Sequence, residues 1–96
     1  MSLDELASKY IDSAEHVLTN LAVSGDSLSL NVESVTKVVL YARDYLEDAR
    51  YYRDKKKFEV SLTSVAYCEG LLDALRMLGA VSFEWPEKTK KKRSKK

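Results

Sequence analysis

The residues of this chain that could take part in chemistry are tyrosines and acidic residues, which recur every three or four positions in two segments. They are Tyr41, Asp44, Tyr45, Asp48 and Tyr52 in the first segment, and Tyr67, Glu69 and Asp73 in the second. If each segment is helical, this spacing lines them up along the helix. Carboxylates beside aromatic rings can hold a cation, a basic peptide or a nucleobase. We predict a partner-binding site here, with a structural helix–helix seam as the alternative.

Nucleophilic and general acid–base catalysis are not indicated by the remaining residues. His16 is the sole histidine and Cys68 the sole cysteine, and a metal site built on such ligands needs more of both. The glycines are too scattered to form a phosphate-binding loop. We predict a protein that is not an enzyme and binds no metal or cofactor. The alternative is a metal-dependent enzyme that uses the acidic residues of the two segments.

Charge divides the chain into an acidic body and a basic C-terminal tail. Residues 1–85 hold nine basic and fourteen acidic residues, and residues 86–96 hold seven basic residues and one acid. The basic residues of the tail are Lys88, Lys90, Lys91, Lys92, Arg93, Lys95 and Lys96. Such a run can bind the phosphate backbone of RNA or DNA without reading its sequence. Nucleic acid is therefore an alternative partner, and a solubilising tail or one that contacts the acidic body is the other interpretation.

Length and composition indicate a single folded domain. A chain of 96 residues, 45% hydrophobic and 32% charged, can build one modest core. A lone cysteine cannot form an internal disulfide and is compatible with a reducing compartment. No apolar run approaches the roughly 20 residues that span a bilayer, and the first residues lack the pattern of a signal peptide. We expect a cytoplasmic protein that does not enter the membrane.

The first predicted helix covers residues 3–24. It begins with a capping box formed by Ser2 and Glu5, and we expect Gly25 to end it in a left-handed conformation. Its apolar residues recur at spacings of three and four, which places them on one face. They are Leu3, Leu6, Tyr10, Ala14, Val17 and Leu21, with Leu18 beside them. The leucines of the following loop, residues 24–30, are expected to pack against the other helices.

Two further helices are predicted near residues 32–54 and 57–79. Asn31 is the expected N-cap of the second helix, and Gly79 is expected to end the third. A short polar turn joins the two helices, and Asp54 is a candidate cap for the third.

Small residues in these two helices predict that their backbones come close together. Ala42 and Ala49 lie on the apolar side of the second helix. Gly70 lies inside the third, where glycine costs about 1 kcal/mol against alanine, so close packing against another backbone is its simplest explanation. Antiparallel pairing about the short turn would place Tyr45 opposite Tyr67.

The predicted fold is all-α: an antiparallel, up-down-up three-helix bundle about 30 Å long. Short connections require neighbouring helices to run in opposite directions. Val81, Phe83 and Trp85 alternate with polar residues, as in an extended segment that turns one face toward the helices. We expect this segment, residues 80–85, to cover one end of the core, and residues 86–96 to form a flexible tail outside the domain.

The stretch from Ala66 to Trp85, Ala-Tyr-Cys-Glu-Gly-Leu-Leu-Asp-Ala-Leu-Arg-Met-Leu-Gly-Ala-Val-Ser-Phe-Glu-Trp, is distinctive. Together with Tyr41-Ala-Arg-Asp-Tyr45, it resembles a small archaeal family, domain of unknown function 357. The resemblance implies a compact three-helix bundle and no known activity. Some members carry the domain beside nucleotidyltransferase-like domains, which implies an accessory role. We predict a non-catalytic interaction module that binds a protein partner or a second copy of itself.

Overall fold

The computed structural model describes residues 2–25 and 28–86, and its regular elements are three α-helices. They are α1 (Leu3–Asn20), α2 (Val32–Asp54) and α3 (Phe58–Met77). No strand occurs in the part of the chain that is described. The predicted all-α, three-helix fold is confirmed. The basic residues of the predicted tail site, from Lys88 to Lys96, lie outside the described residues.

The first two helices begin with the predicted caps. The Ser2 hydroxyl accepts the backbone N–H of Glu5 at 3.0 Å, and the Ser2 N–H donates to the Glu5 carboxylate at 2.9 Å. The Asn31 side-chain oxygen accepts the N–H of Ser34 at 2.7 Å. Each cap satisfies an amide that the first turn of a helix leaves without a partner.

The end of α1 differs from the prediction, because the helix stops at Asn20 and Gly25 is not its cap. Leu21 takes an extended conformation, with φ −71° and ψ 144°. The Asn20 side-chain amide donates to the His16 carbonyl at 2.8 Å, which satisfies an acceptor of the last turn. Gly25 does adopt a left-handed conformation, φ 54°, but it bends the chain after the helix has ended.

Two residues after the last residue of α2, and likewise of α3, the chain takes the left-handed conformation. Gly79 takes this conformation after α3, as predicted, with φ 79°. Lys56 takes it after α2, with φ 62°. The Lys57 N–H closes the α2 turn by donating to the Tyr52 carbonyl at 2.8 Å. The prediction that Asp54 caps α3 is wrong. Asp54 is the last residue of α2, and Lys57, at the N-cap of α3, makes no side-chain capping bond.

Helices α2 and α3 pack together as an antiparallel hairpin. The Ser61 hydroxyl donates to the Ala49 carbonyl at 2.7 Å, and Tyr45 lies against Tyr67. The two pairs run in opposite directions along the chain, so the helices are antiparallel. The residues buried in this seam are Ala42, Ala49, Cys68 and Leu75. Small residues at its centre let the backbones approach closely, as predicted for the two alanines.

The prediction that Gly70 packs closely against another backbone is wrong. Gly70 is exposed, and a Cβ atom added to it would meet no atom within 4 Å. The helical cost of glycine is therefore not offset by packing inside this chain.

Helix α1 stands apart from the hairpin. No Cα atom of α1 lies within 8 Å of α2 or α3, and none of its residues is buried. The radius of gyration is 16.5 Å, whereas a compact chain of this length has about 12.5 Å. The prediction that the loop leucines pack against the helices is wrong, since Leu28 is 73% and Leu30 48% exposed. The connection therefore does not hold α1 against the other helices.

The segment after α3 has the predicted alternation. Val81, Phe83 and Trp85 are half-buried, and Ser82 and Glu84 between them are exposed. No helix within residues 2–25 and 28–86 combines the length and the apolar character needed to cross a membrane.

Candidate functional site

Tyr45 and Tyr67 form the centre of the predicted tyrosine and acid line. Their ring centroids are 4.3 Å apart and the rings are stacked at 26°, so the pairing expected across the hairpin is formed. Partial burial raises the pKa of the Tyr45 phenol, and the neighbouring Tyr67 and the negative charge of Asp48 raise it further. The Tyr45 phenol therefore stays protonated near neutral pH, and its ring packs as aromatic surface.

The other tyrosines of the line lie around this stack. Tyr41 is 54% and Tyr67 is 53% exposed, while Tyr52 is half-buried. Tyr51, which the spacing argument omitted, packs edge-on against Tyr52 at 5.1 Å. In the sequence, only the position of Tyr51 next to Tyr52 could have indicated this contact. Some of the tyrosine surface is therefore buried in the seam between α2 and α3, and the rest is accessible to a partner.

The acidic residues of the line, Asp44, Asp48, Glu69 and Asp73, do not form a common site. Within residues 2–25 and 28–86, no three His, Cys, Asp or Glu side chains gather as metal ligands would. The alternative of a metal-dependent enzyme has no ligand cluster in this part of the molecule.

Asp73 instead anchors the C-terminal segment. The Trp85 indole N–H donates to the Asp73 carboxylate at 2.7 Å, and an Arg76 guanidinium nitrogen lies 3.6 Å from the same oxygen. Arg76 also lies 5.0 Å from the centre of the Phe83 ring, and Phe83 meets Trp85 edge-on at 4.9 Å. We call these four residues the C-terminal clasp. Alternation in the sequence predicted a segment lying on the helices but not its partner Asp73.

Neither Cys68 nor His16 is placed as a reactive group. Cys68 is 6% exposed, and burial raises the pKa of its thiol, with a smaller contribution from the negative charge of Glu69. The thiol therefore stays protonated and packs as a small apolar group. The exposed His16 ring lies 3.5 Å from the side-chain amide of Asn20 at the end of α1.

A broad exposed apolar surface lies on α1. At 100° per residue, the apolar residues fill a continuous arc of roughly 140°, and polar residues fill the rest. We call this arc the α1 face; it comprises Leu3, Leu6, Ala7, Tyr10, Ile11, Ala14, Val17 and Leu18, together with Leu21 directly after the end of the helix. Its large side chains other than Leu6 are between 55% and 71% exposed. Contiguous apolar surface of this kind marks interaction sites in folded proteins.

Two apolar grooves lie on the described surface, one beside the α1 face and one on the hairpin. The first, of about 450 Å³, separates the start of α1 from the start of α3 and is lined by Leu3, Leu6, Tyr10, Glu59, Val60 and Thr63. The second, of about 220 Å³, follows the α2–α3 seam and is lined by Val39, Ala42, Arg43, Leu46, Cys68 and Leu72. Apolar side chains predominate in both, so both suit an apolar segment better than a charged ligand.

Comparison with protein families gives a match over most of the chain. A family model described as "Protein of unknown function (DUF357)" matches residues 9–81. The matched span runs from the middle of α1 through α2 and α3 to the beginning of the C-terminal segment. No curated protein and no solved structure matches this chain.

Proposed function

Because the chain belongs to the DUF357 family, whose description assigns no function, we propose a function from its own surfaces: a non-catalytic interaction module. Its α1 face binds a protein partner or a second copy of the chain. The family predicted from the sequence is confirmed. The observation that carries the proposal is the exposure of the α1 face: its large side chains other than Leu6 are more than half exposed, and no Cα atom of α2 or α3 lies within 8 Å of α1.

Helix α1 gains stability when its apolar face is covered. Helix α1 has 18 residues, little more than the roughly 12–15 below which even alanine-rich isolated helices are marginal in water. Most helical stability in proteins comes from packing an apolar face. We take the exposed part of the α1 face as roughly 700 Å², which corresponds to about 17 kcal/mol of transfer free energy before the costs of association. A partner that covers even part of this area stabilises α1 as it binds.

Site-specific photo-cross-linking in the native cells tests the proposal. A photoreactive amino acid replaces Leu18, on the α1 face, and in a matched variant it replaces Asp12, on the polar side of the same helix. Both positions are exposed. The proposal predicts adducts of defined mass from position 18 and few from position 12. Equal labelling from both positions, or no adduct from position 18, would refute it.

Nucleic-acid binding through the basic tail is a second candidate function. The observation that favours it is the run of basic residues that follows the C-terminal clasp in the sequence. Seven basic residues give single-strand binding a log–log salt slope of at most about −5. Fluorescence anisotropy with a single-stranded RNA should show weak, salt-sensitive binding that is lost on truncation after Trp85. Unchanged affinity of the truncated chain would exclude the tail as the binding site.

A further inference from the structure

We propose that the α1 face is covered by α1 of a second copy, with the two helices antiparallel about a twofold axis near residue 12. This inference rests on the proposed function, because it names the partner of that same surface. It follows from the repeat along the face, from the sizes of the side chains that would meet, from the placement of charge and from the available area.

The centre of the α1 face has the repeat of a paired helix. Its residues are spaced alternately by four and three positions: Leu3, Ala7, Tyr10, Ala14, Val17 and Leu21. A mean spacing of 3.5 residues keeps one seam turned toward a neighbouring helix over its whole length. The helical part of the seam runs from Leu3 to Val17 and covers about four helical turns, and Leu21 follows directly after the end of α1. The groove along the α2–α3 seam uses α2 residues 39–46, about two turns, so it is too short to receive the whole face.

Side-chain size along this seam is complementary to itself in the antiparallel direction. With the axis near residue 12, Tyr10 faces Ala14 of the second copy, and Ala7 faces Val17. Leu3 lies opposite Leu21 of the second copy, the residue directly after the end of that α1. Each large residue inside the seam therefore meets a small one, which gives layers of similar volume. Parallel pairing would instead oppose Tyr10 to Tyr10 and leave voids between the alanines.

The flanks of the seam contain no pair of like charges. In the antiparallel arrangement Ser13 meets Ser13 and Ile11 meets Ile11 across the axis. Asp4 is the one charged residue of α1 in the flanking positions, and it meets Leu18. The remaining charges of α1 lie on the polar side of the helix and stay in water.

The area available on the α1 face is close to that of a stable interface. We take its exposed part as roughly 700 Å², and a standard interface buries about 800 Å² per partner. The groove of about 450 Å³ beside Val60 extends this surface onto α3. The second helix can therefore contact α3 with its end while its centre packs on α1.

The proposal is tested with the full chain by sedimentation equilibrium and by cross-linking of single cysteines in a Cys68→Ala background. Ser13→Cys places the two thiols opposite each other. Asn20→Cys occupies the equivalent flank position two helical turns away, where the antiparallel pair separates the thiols by about 21 Å along the axis. We expect a dimer at micromolar concentration, and a short bismaleimide should join Ser13→Cys chains at least about tenfold faster. Equal rates for the two variants would overturn the antiparallel register.

A charge inside the seam provides an independent readout. Ala14→Arg buries an unpaired charge and should weaken dimerisation at least about 100-fold, whereas Asp12→Arg, on the polar side, should change it little. Equal effects of the two substitutions, or a monomer at every concentration, would overturn the second copy as occupant. In the latter case, adducts with another protein from position 18 would leave the proposed function standing. Absence of both adducts and dimer would remove both proposals.

Discussion

The hydrogen bond between Trp85 and Asp73 gives a prediction whose size can be worked out from the structure. Trp85→Phe removes the indole N–H but keeps an aromatic ring beside Phe83, and Asp73→Asn removes the negative charge of the acceptor. A hydrogen bond to a charged group contributes about 1.5–3 kcal/mol to stability. Both residues are half-buried, so water competes for the acceptor. We therefore expect a value near the lower limit.

A double-mutant cycle isolates this hydrogen bond from the other contacts of the clasp. Asp73→Asn also weakens the contact with Arg76, which lies 3.6 Å away, and Trp85→Phe also alters the edge-on contact with Phe83. Each of these side effects is the same whether or not the other residue of the pair is substituted, so it cancels in the cycle. Because asparagine keeps an acceptor oxygen, the cycle measures the part of the hydrogen bond that depends on the negative charge, and the predicted coupling energy between Trp85 and Asp73 is about 1 kcal/mol.

Urea unfolding followed by helical circular dichroism measures the four chains of the cycle. Fluorescence is unsuitable because Trp85 is the only tryptophan. Truncation after Pro86 should leave the coupling unchanged, because all four residues of the clasp remain. A coupling energy below about 0.3 kcal/mol, the usual error of additivity, would show that the hydrogen bond does not hold the C-terminal segment on α3.

Three further predictions concern single residues of the hairpin. Gly70→Ala should stabilise the fold by about 0.5–1 kcal/mol in urea unfolding, because no atom lies within 4 Å of the added Cβ; destabilisation would reveal packing at this position. Lys56→Gly should also stabilise the fold, by about 1 kcal/mol, because Lys56 holds φ 62°, where glycine is unstrained. The control Lys55→Gly, at a residue with φ −87°, should destabilise it. The Cys68 thiol, whose pKa is raised, should react with a disulfide reagent at pH 8 at least about tenfold more slowly than in the urea-unfolded chain, and equal rates would contradict its burial.

The hairpin could be predicted from the sequence because its determinants are local or nearly so. The short turn requires antiparallel helices, and Ala42 and Ala49 mark the side on which the backbones approach. Once the turn is fixed, the pairing of Tyr45 with Tyr67 follows by counting residues. The caps at Ser2 and Asn31 are equally local, since the side chain bonds an amide three residues away.

The other features depend on contacts that the sequence pattern does not specify. An amphipathic stripe shows that α1 needs an apolar neighbour, but it does not say whether that neighbour lies in the same chain. The sequence shows that Gly70 lowers the stability of its helix relative to alanine. Only the structure shows that the space around it is empty. Asp73 was assigned to the tyrosine and acid line by its spacing, yet a tryptophan twelve residues further along the chain binds it.

Amide hydrogen exchange across a range of protein concentrations tests most directly the central claim, that the α1 face is uncovered in the single chain. The claim predicts that α2 and α3 are protected at every concentration, because their seam lies within one chain. In α1, protection should be weak at the lowest concentration and should increase as chains associate. If α1 is as strongly protected as α2 and α3 at the lowest concentration, its face is covered within the same chain and the account is contradicted.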